Sequence, residues 1–448
     1  MSDDTRTLLL VGGIDAHLRH VKEQGVRVVF LQHPDKITPY QTATADVLLM
    51  IDYTDYDVVL PFAETARALY GFDVVLSLTE GGLTPAARLN DHFGFGDGQR
   101  GEVSRRMRDK ALMRAHLAER GHPGVEHARV TDRASLDAFG ARAGYPFIVK
   151  PTGTTAGFGL IRAEGPDDLD RVWRRIGELL GRRTDRGSTL FRVDGFLMEE
   201  YIDGPEFSVE AFGFAGRHVV VAITEKLVDE RHFAELGHAV PARLAPDTHR
   251  LIADAVTDFL TVMGVTDGPS HTEIRLGGRG PLVIESHNRL GGGQIIELVE
   301  AALGINMAAY AAAWPLGNVA PLTEPPRPVG GACTRFVLSD PGTVTAVEGV
   351  DEVRARPDVL ALQLNARPGD TIRPLRDNWD RPGFVAVRAE DTDTAVELCE
   401  RLTRQTIRIE VNGTAETAGV PGSPAPAEVR DGAAAAPDPA GPQRPVAA

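Results

Sequence analysis

The feature that most constrains this chain is a pair of carboxylates on two runs that read as adjacent strands. Glu273 lies in the run His271 to Leu276, and Glu285 lies twelve residues on, in the run Leu282 to Ser286. The second glutamate opens the stretch Glu285-Ser286-His287-Asn288-Arg289-Leu290-Gly291-Gly292-Gly293. Two carboxylates, an amide, a guanidinium and a glycine turn in so short a span suit the holding of magnesium against a nucleoside triphosphate. Mg²⁺ wants oxygen ligands in octahedral geometry and usually takes one or two carboxylates plus phosphate oxygens. Arg289 can then face the negative charge that builds up in phosphoryl transfer.

A chain of 448 residues is too long for one ordinary core and suits two to four domains. Its formal net charge of -15 argues against a nucleic-acid partner, while leaving room for a local basic pocket. The two cysteines, Cys333 and Cys399, have no metal-type spacing, so a reducing cytoplasm is expected rather than a disulfide framework. The first six residues are acidic rather than basic, unlike a secretory signal, so the sequon at Asn412 has no expected role. The alanine-rich run from Ala308 to Trp314 is bounded by Asn306 and Pro315 and is too short to span a bilayer, so no membrane partner is expected.

Along the chain, Thr7 to Val11, an amphipathic stretch to about Gln24 and Val26 to Leu31 read as a βαβ opening with a parallel sheet. Val47 to Ile51, Val58 to Leu60 and Val74 to Leu78 are expected to continue the alternation, which places a first domain at 1–104. The stretch from Arg105 to Arg120 is strongly helical with a basic face. Strands are expected at Tyr145 to Lys150, Phe196 to Tyr201, Phe207 to Phe214 and Val219 to Thr224, and helices at Asp247 to Met263 and Gln294 to Leu303. From Gly330 to Val411 short strands and one helix suggest a small α+β end domain. After Asn412 the alanine, proline and glycine content cannot bury a core and disorder is expected.

Several motifs each carry a weak signal. The loop Gly153 to Gly159 is rich in Gly and Thr, so its amides and hydroxyls can approach phosphate oxygens. An ordinary hairpin tip reads the same way, but Lys150 at the end of the preceding strand favours the phosphate. The stretch Gly96 to Gly101 matches G-x-G-x-x-G without a preceding strand, and Asp97 would repel a pyrophosphate. Glu199 to Glu210 reads as strand, turn, strand. Its backbone can hold an adenine edge and Glu206 the ribose hydroxyls, or it is a solvated acidic hairpin. His232, Glu235 and His238 fall in an expected loop that suits a substrate ammonium and reads equally as a polar surface loop. It is not the helical H-E-x-x-H of zinc proteases.

Taken in order, these pieces resemble the ATP-grasp superfamily over about residues 1–410: a basic helix with Lys110, the strand ending Lys150-Pro151, the glycine loop, Met198 to Ile202 through Glu206, then Glu273, Glu285 and Arg289. The resemblance implies a multidomain α/β and α+β protein with the ATP-grasp fold. A Rossmann-like N-terminal domain, an ATP-grasp domain at 105–320 with its lid at about 145–200, and a small α+β domain at 321–411 would precede a tail at 412–448. It implies ATP with Mg²⁺, or Mn²⁺ in its place. Lys110 and Lys150 would bind phosphates under a lid including Gly153, Thr154, Thr155 and Gly157. Glu199, Glu200, Tyr201 and Ile202 would hold adenine, and Glu206 the ribose. Glu273 and Glu285 would be metal ligands. The superfamily has Asn two residues beyond the second glutamate. Here that position is His287, with Asn288 next, so both are candidate ligands.

Within the superfamily, the Arg289 to Gly293 run and the Glu235-x-x-His238 pair look most like the L-amino acid ligases that make dipeptides, and like carnosine-synthase-type enzymes. This implies Glu235 and His238 near a substrate amino group and Arg289 at the carboxylate being activated. Gly291 and Gly292 would leave room for a side chain. The implied partners are a small-molecule carboxylate and an amine, with a homodimer as a common assembly. The implied reaction passes through an acyl phosphate to an amide, ADP and phosphate. The rivals are a biotin-carboxylase-like or purine-biosynthetic ATP-grasp enzyme, and an ATP-binding protein without catalysis.

Overall fold

The computed structural model describes residues 5–96, 98–184 and 191–412. The N-terminal unit is a four-stranded parallel sheet in the order Val47–Met50, Arg27–Gln32, Thr7–Val11, Val74–Leu76. Its first strand is buried throughout, as expected of a strand covered on both faces. Gly12 ends that strand at φ +63, where a Cβ would lie within 2.8 Å of Tyr53 and Thr79 side-chain atoms, so only glycine fits. Val58 to Leu60, expected as a strand, instead lies inside the helix Tyr56–Tyr70. The Asp55 carboxylate caps that helix by accepting from the Asp57 amide. Val59, Ala63 and Ala66 form its buried stripe at helical spacing, which overrides the local β-branched run.

The expected basic helix around Arg105 to Arg120 is two helices, Arg100–Arg108 and Lys110–Glu119. Asp109 breaks it. Its backbone is extended and its side chain accepts from the Ala111 and Leu112 amides, capping the second helix. The break puts Lys110 at the first turn of a helix rather than in its middle.

A four-stranded antiparallel sheet follows, ordered His127–Arg129, Phe196–Glu200, Phe147–Pro151, Ile161–Ala163. Helices Arg133–Ala143 and Leu169–Leu179 contribute Leu136, Phe139, Val172 and Ile176 to the core beneath it.

The largest sheet has eight antiparallel strands: Gly280–His287, Gly268–Gly277, Glu206–Phe214, Arg217–Val228, Glu235–Val240, Gly331–Val337, Gly383–Ala389 and Val359–Leu364. The long helix Pro246–Met263 covers one face, burying Ile252, Val256, Phe259 and Leu260 against Phe207, Val209 and Ile274. Helices Ile295–Leu303 and Met307–Ala313 cover the other, against Phe212, Phe214 and Val221. Ala312 and Leu316 then pack on Leu8, Leu10, Leu18 and Val21 of the N-terminal unit. The C-terminal strands therefore continue the central sheet, while Thr371–Ile372, Gly342–Glu348 and Arg408–Asn412 form a separate three-stranded sheet. Among the described residues no single helix is long and apolar enough to cross a membrane. The tail expected to be disordered lies, from residue 413, outside the described residues.

Candidate active site

The strand pair Gly268–Gly277 and Gly280–His287 sets Glu273 and Glu285 directly opposite each other, as cross-strand partners beside a bulge. Both face a cavity of about 440 Å³ whose walls come from all parts of the chain. Thr79 and Glu80 come from the N-terminal unit, Lys150 and the Thr155–Gly157 loop from the small sheet, and Asn378, Trp379 and Arg381 from the C-terminal region.

Each carboxylate is paired with a lysine. Lys110 Nζ lies 2.9 Å from Glu285 Oε2, and Lys226 Nζ lies 2.6 Å from Glu273 Oε1. Burial alone would raise the pKa of both acids. Lys226 and His271 outweigh it at Glu273, holding it at about 2, and Lys110, His287 and Lys150 hold Glu285 well below the usual carboxylate range. His287 Nε2 sits 3.1 Å from Glu285 Oε1. Asn288, one residue on, lines a different cavity of about 150 Å³ beside Val75, Leu83 and Trp314. Strand alternation accounts for this: residues two apart share a face and the next one turns away. Of the two candidates beyond Glu285, the structure brings only His287 to the carboxylates.

The two phosphate candidates are buried cations aimed at the same place. Lys110 Nζ also donates to the Thr154 carbonyl at 2.6 Å, tying the helix start to the glycine loop. Lys150 Nζ sits 2.6 Å from Glu199 Oε2 and donates to the Ile284 carbonyl at 3.2 Å. Glu199 Oε1 accepts from Arg114 Nε at 2.7 Å. Burial would raise Glu199, but Arg114 and Lys150 bring it down to about 2, while burial lowers Lys150 against the pull of Glu199. The Glu199 side chain is thus committed to two cations. An adenine edge would have to use the chain beyond it, where Glu200, Tyr201 and Ile202 line the cavity.

In the glycine loop, Thr154 Oγ1 donates to the Phe158 carbonyl at 3.1 Å, Thr155 and Gly157 line the cavity, and Gly153 stands open with nothing near its Cβ position. The Gly157 φ of +69 gives the turn.

Lys226 is the hub of the floor. Its ammonium meets Glu206 at 2.9 Å, Glu235 at 3.0 Å and Glu273 at 2.6 Å. Burial would lower it, but the three carboxylates raise it well above the usual lysine value. Glu206 also accepts from Arg275 Nε at 3.2 Å, and Arg275 donates on to the Tyr201 hydroxyl at 2.8 Å. Glu235 and His238, expected in a loop, lie on the strand Glu235–Val240, held between two neighbours in the large sheet. The stretch Glu-Leu-Gly-His has no strong strand pattern, and only partners on both sides specify it. Glu235 lines the cavity, whereas His238 is fully buried behind it with Nδ1 at 2.9 Å from the Gly293 carbonyl. A Cβ on Gly293 would come within 2.5 Å of that ring, and one on Gly291 within 3.0 Å of His271 and Glu210, while Gly292 is open.

Arg289 enters from the turn after the strand. Its guanidinium pairs with Glu80 and donates to the Leu290 carbonyl at 2.7 Å. Glu80 also holds Arg108 at 2.9 Å and His287 at 3.3 Å. These cations keep Glu80 well below the carboxylate range although burial would raise it. One N-terminal carboxylate therefore orients both Arg289 and His287.

Residues 143–297 match the ATP-grasp domain, and residues 335–412 match the L-amino acid ligase C-terminal domain 2. The chain thus carries an ATP-grasp domain followed by an L-amino acid ligase C-terminal domain. An L-arginine-specific L-amino acid ligase of Bacillus subtilis is 24% identical over 336 residues, covering 73% of this chain and 77% of that protein. The alanine–anticapsin ligase of the same species is 26% identical over 269 residues, covering 57% of this chain and 56% of that one, so the match spans about half of that relative. A crystal structure of an L-amino acid ligase from Bacillus licheniformis shares the fold with a TM-score of 0.76 at 21% identity, covering 91% of this chain and 99% of that one. An ATP-grasp ligase uses ATP.

For this ATP-grasp ligase the sequence picked out the strand-borne groups and missed Glu80, Arg114, Lys226, His271, Arg275, Asn378, Trp379 and Arg381. Lys226 lies on a long alternating strand opposite Glu206, so cross-strand register was a signal that could have found it. His271 and Arg275 flank Glu273 at two-residue spacing on its strand, and Arg114 lies one helical turn after Lys110, so periodicity could have found them too, whereas Glu80, Asn378, Trp379 and Arg381 come from remote segments.

Proposed function

We propose that this ATP-grasp ligase activates an amino acid carboxylate with ATP and passes the acyl group to the amine of a second substrate, forming an amide and releasing ADP and phosphate. The observation that carries the reading is the convergence of Glu273, Glu285, Lys150 and Arg289 on one cavity, with Lys110 ion-paired to Glu285. Two carboxylates completed by phosphate oxygens and water are what Mg²⁺ takes from a protein. Among the described residues no cluster of three or more metal-type side chains stands ready to hold an ion alone. The donor set thus fits a nucleotide-borne Mg²⁺, or Mn²⁺, held by Glu273 and Glu285 with His287 beside them. When bound, the ion supplies charge neutralisation between the phosphates.

The chain's own groups do the rest. Lys110 and Lys150 bind phosphate oxygens, and Glu200, Tyr201 and Ile202 border the base, with Glu206 toward the ribose. Arg289, oriented by Glu80, faces the substrate carboxylate as its oxygen attacks the γ-phosphorus and ADP leaves. The amine then attacks the acyl carbon and phosphate departs. Glu235 lies where a substrate ammonium would sit, and His238 positions Gly293 from behind. Gly292, open at its Cβ position, leaves space a substrate side chain would fill, while Gly291 and Gly293 pack against His271, Glu210 and His238. The loop Gly153 to Gly159 is the lid, and the cytoplasm, with its free buried thiols, and a homodimer belong to the same reading.

A bicarbonate or ribosylamine acceptor would use the same ATP groups, but the C-terminal match at residues 335–412 favours amino acids. The test is phosphate release from Mg-ATP across a matrix of amino-acid pairs, with mass spectrometry of the wells that respond. Release requiring two amino acids, with a product one water lighter than their sum, is expected. Release driven by bicarbonate, or none in any well, would overturn it.

A further inference from the structure

The loop over the reacting atoms is touched by a residue from the far end of the chain. The C-terminal turn Asn378–Asp380 is rigidly built. Asp377 caps it by accepting from the Trp379 amide at 2.8 Å, and Arg381 Nε donates to the Asn378 carbonyl at 2.7 Å. The turn is also fastened to the cavity wall. The Glu235 amide donates to Asn378 Oδ1 at 2.8 Å, Asn378 Nδ2 donates to Glu235 Oε2 at 3.0 Å, and Arg381 donates to the Glu235 carbonyl at 2.9 Å. From this base the Trp379 indole meets Phe158 of the glycine loop, with ring centroids 5.3 Å apart, and Phe191 of the short strand Phe191–Arg192, stacked at 6.1 Å.

We propose that Trp379 is a positioning residue that latches the glycine loop shut through Phe158, and so keeps water from the activated carboxyl group. The chain leading to it is continuous: Glu235 in the cavity floor, Asn378 and Arg381 gripping Glu235, Trp379 between them, Phe158 in the loop. It rests on the ligase reading above. The loss it prevents is hydrolysis: a water oxygen bonds to the acyl carbon, the acyl–oxygen bond to phosphate breaks, and carboxylate, inorganic phosphate and a proton leave. An aromatic contact of this kind shifts an open–closed equilibrium by about two- to tenfold.

The test compares the parent protein with Trp379→Ala, Trp379→Phe and, from the loop side, Phe158→Ala. Hydrogen exchange over residues 152–160, with and without a non-hydrolysable Mg-ATP analogue, reads closure without any reaction. The ratio of phosphate released to amide formed reads leakage. The expected result is nucleotide protection of the loop in the parent and in Trp379→Phe, reduced about two- to tenfold in both alanine variants. The phosphate-to-amide ratio should rise about two- to tenfold in those two, with ATP still bound. Equal protection in the parent and both alanine variants would overturn the latch, even if activity fell. Phosphate release without amide from the parent would instead overturn the ligase reading, and the exchange comparison alone would then decide the latch.

Discussion

Removing the charge of Glu199 tests the buried ion cluster behind the phosphate site. Its carboxylate accepts from Arg114 at 2.7 Å and from Lys150 at 2.6 Å, all three side chains being almost fully buried. Glu199→Gln keeps the shape and leaves two buried cations without their counter-ion. Breaking a buried pair by removing one partner costs about 3–5 kcal/mol. The depression of Glu199 from its ordinary 4.5 to about 2 corresponds to about 3 kcal/mol, in the same range. A depressed carboxylate contributes stability that is fully present above pH 4.5 and is lost as the pH falls toward 2. Urea unfolding should therefore show a parent protein that weakens through that window. The glutamine variant should be weaker by about 3 kcal/mol at neutral pH and flatter in acid. Because Lys150 loses the carboxylate that upholds its charge, the variant should also bind ATP more weakly as the pH rises. A variant within about 1 kcal/mol of the parent, with an unchanged acid slope, would refute the reasoning.

Arg289→Ala should lower kcat by about 10²–10³-fold while the KM for ATP moves little, because the guanidinium acts on charge developing in the transition state. Steady-state kinetics decide it, and equal losses in both would make Arg289 a ground-state binder. Lys226→Met removes the ammonium shared by Glu206, Glu235 and Glu273 and should cost about 3–5 kcal/mol by urea unfolding. Phe259→Ala, in the fully buried face of the long helix, should cost about 3–5 kcal/mol and leave the phosphate-to-amide ratio unchanged below its unfolding midpoint.

The sequence made the fold's regular parts legible where periodicity and burial agree, as at Glu206–Phe214, Pro246–Met263 and the Glu273–Glu285 strand pair. It misled where a cap or a neighbour outvoted local propensity. Asp55 and a helical stripe turned Val58 to Leu60 into helix, Asp109 split the basic helix, and flanking strands drew Glu235 and His238 out of a loop. Within the site, the order of lysines, glutamates and arginine was readable because each sits on a recognisable element. Asn288 could have been set aside from strand alternation alone, since Glu285 and His287 share a face. Glu80 meets Arg289 from 209 residues away, and Asn378 meets Glu235 from 143, so only the folded chain shows those pairs. Such contacts depend on how separate units dock, which no local pattern encodes.

The account stands on activation of a carboxylate by phosphoryl transfer, and oxygen-isotope transfer tests that most directly. With a carboxylate substrate labelled with ¹⁸O on both oxygens, and ATP and a second amino acid supplied, the released phosphate should carry one labelled oxygen and the nucleotide product should be ADP. Unlabelled phosphate, or label appearing in AMP, would contradict it.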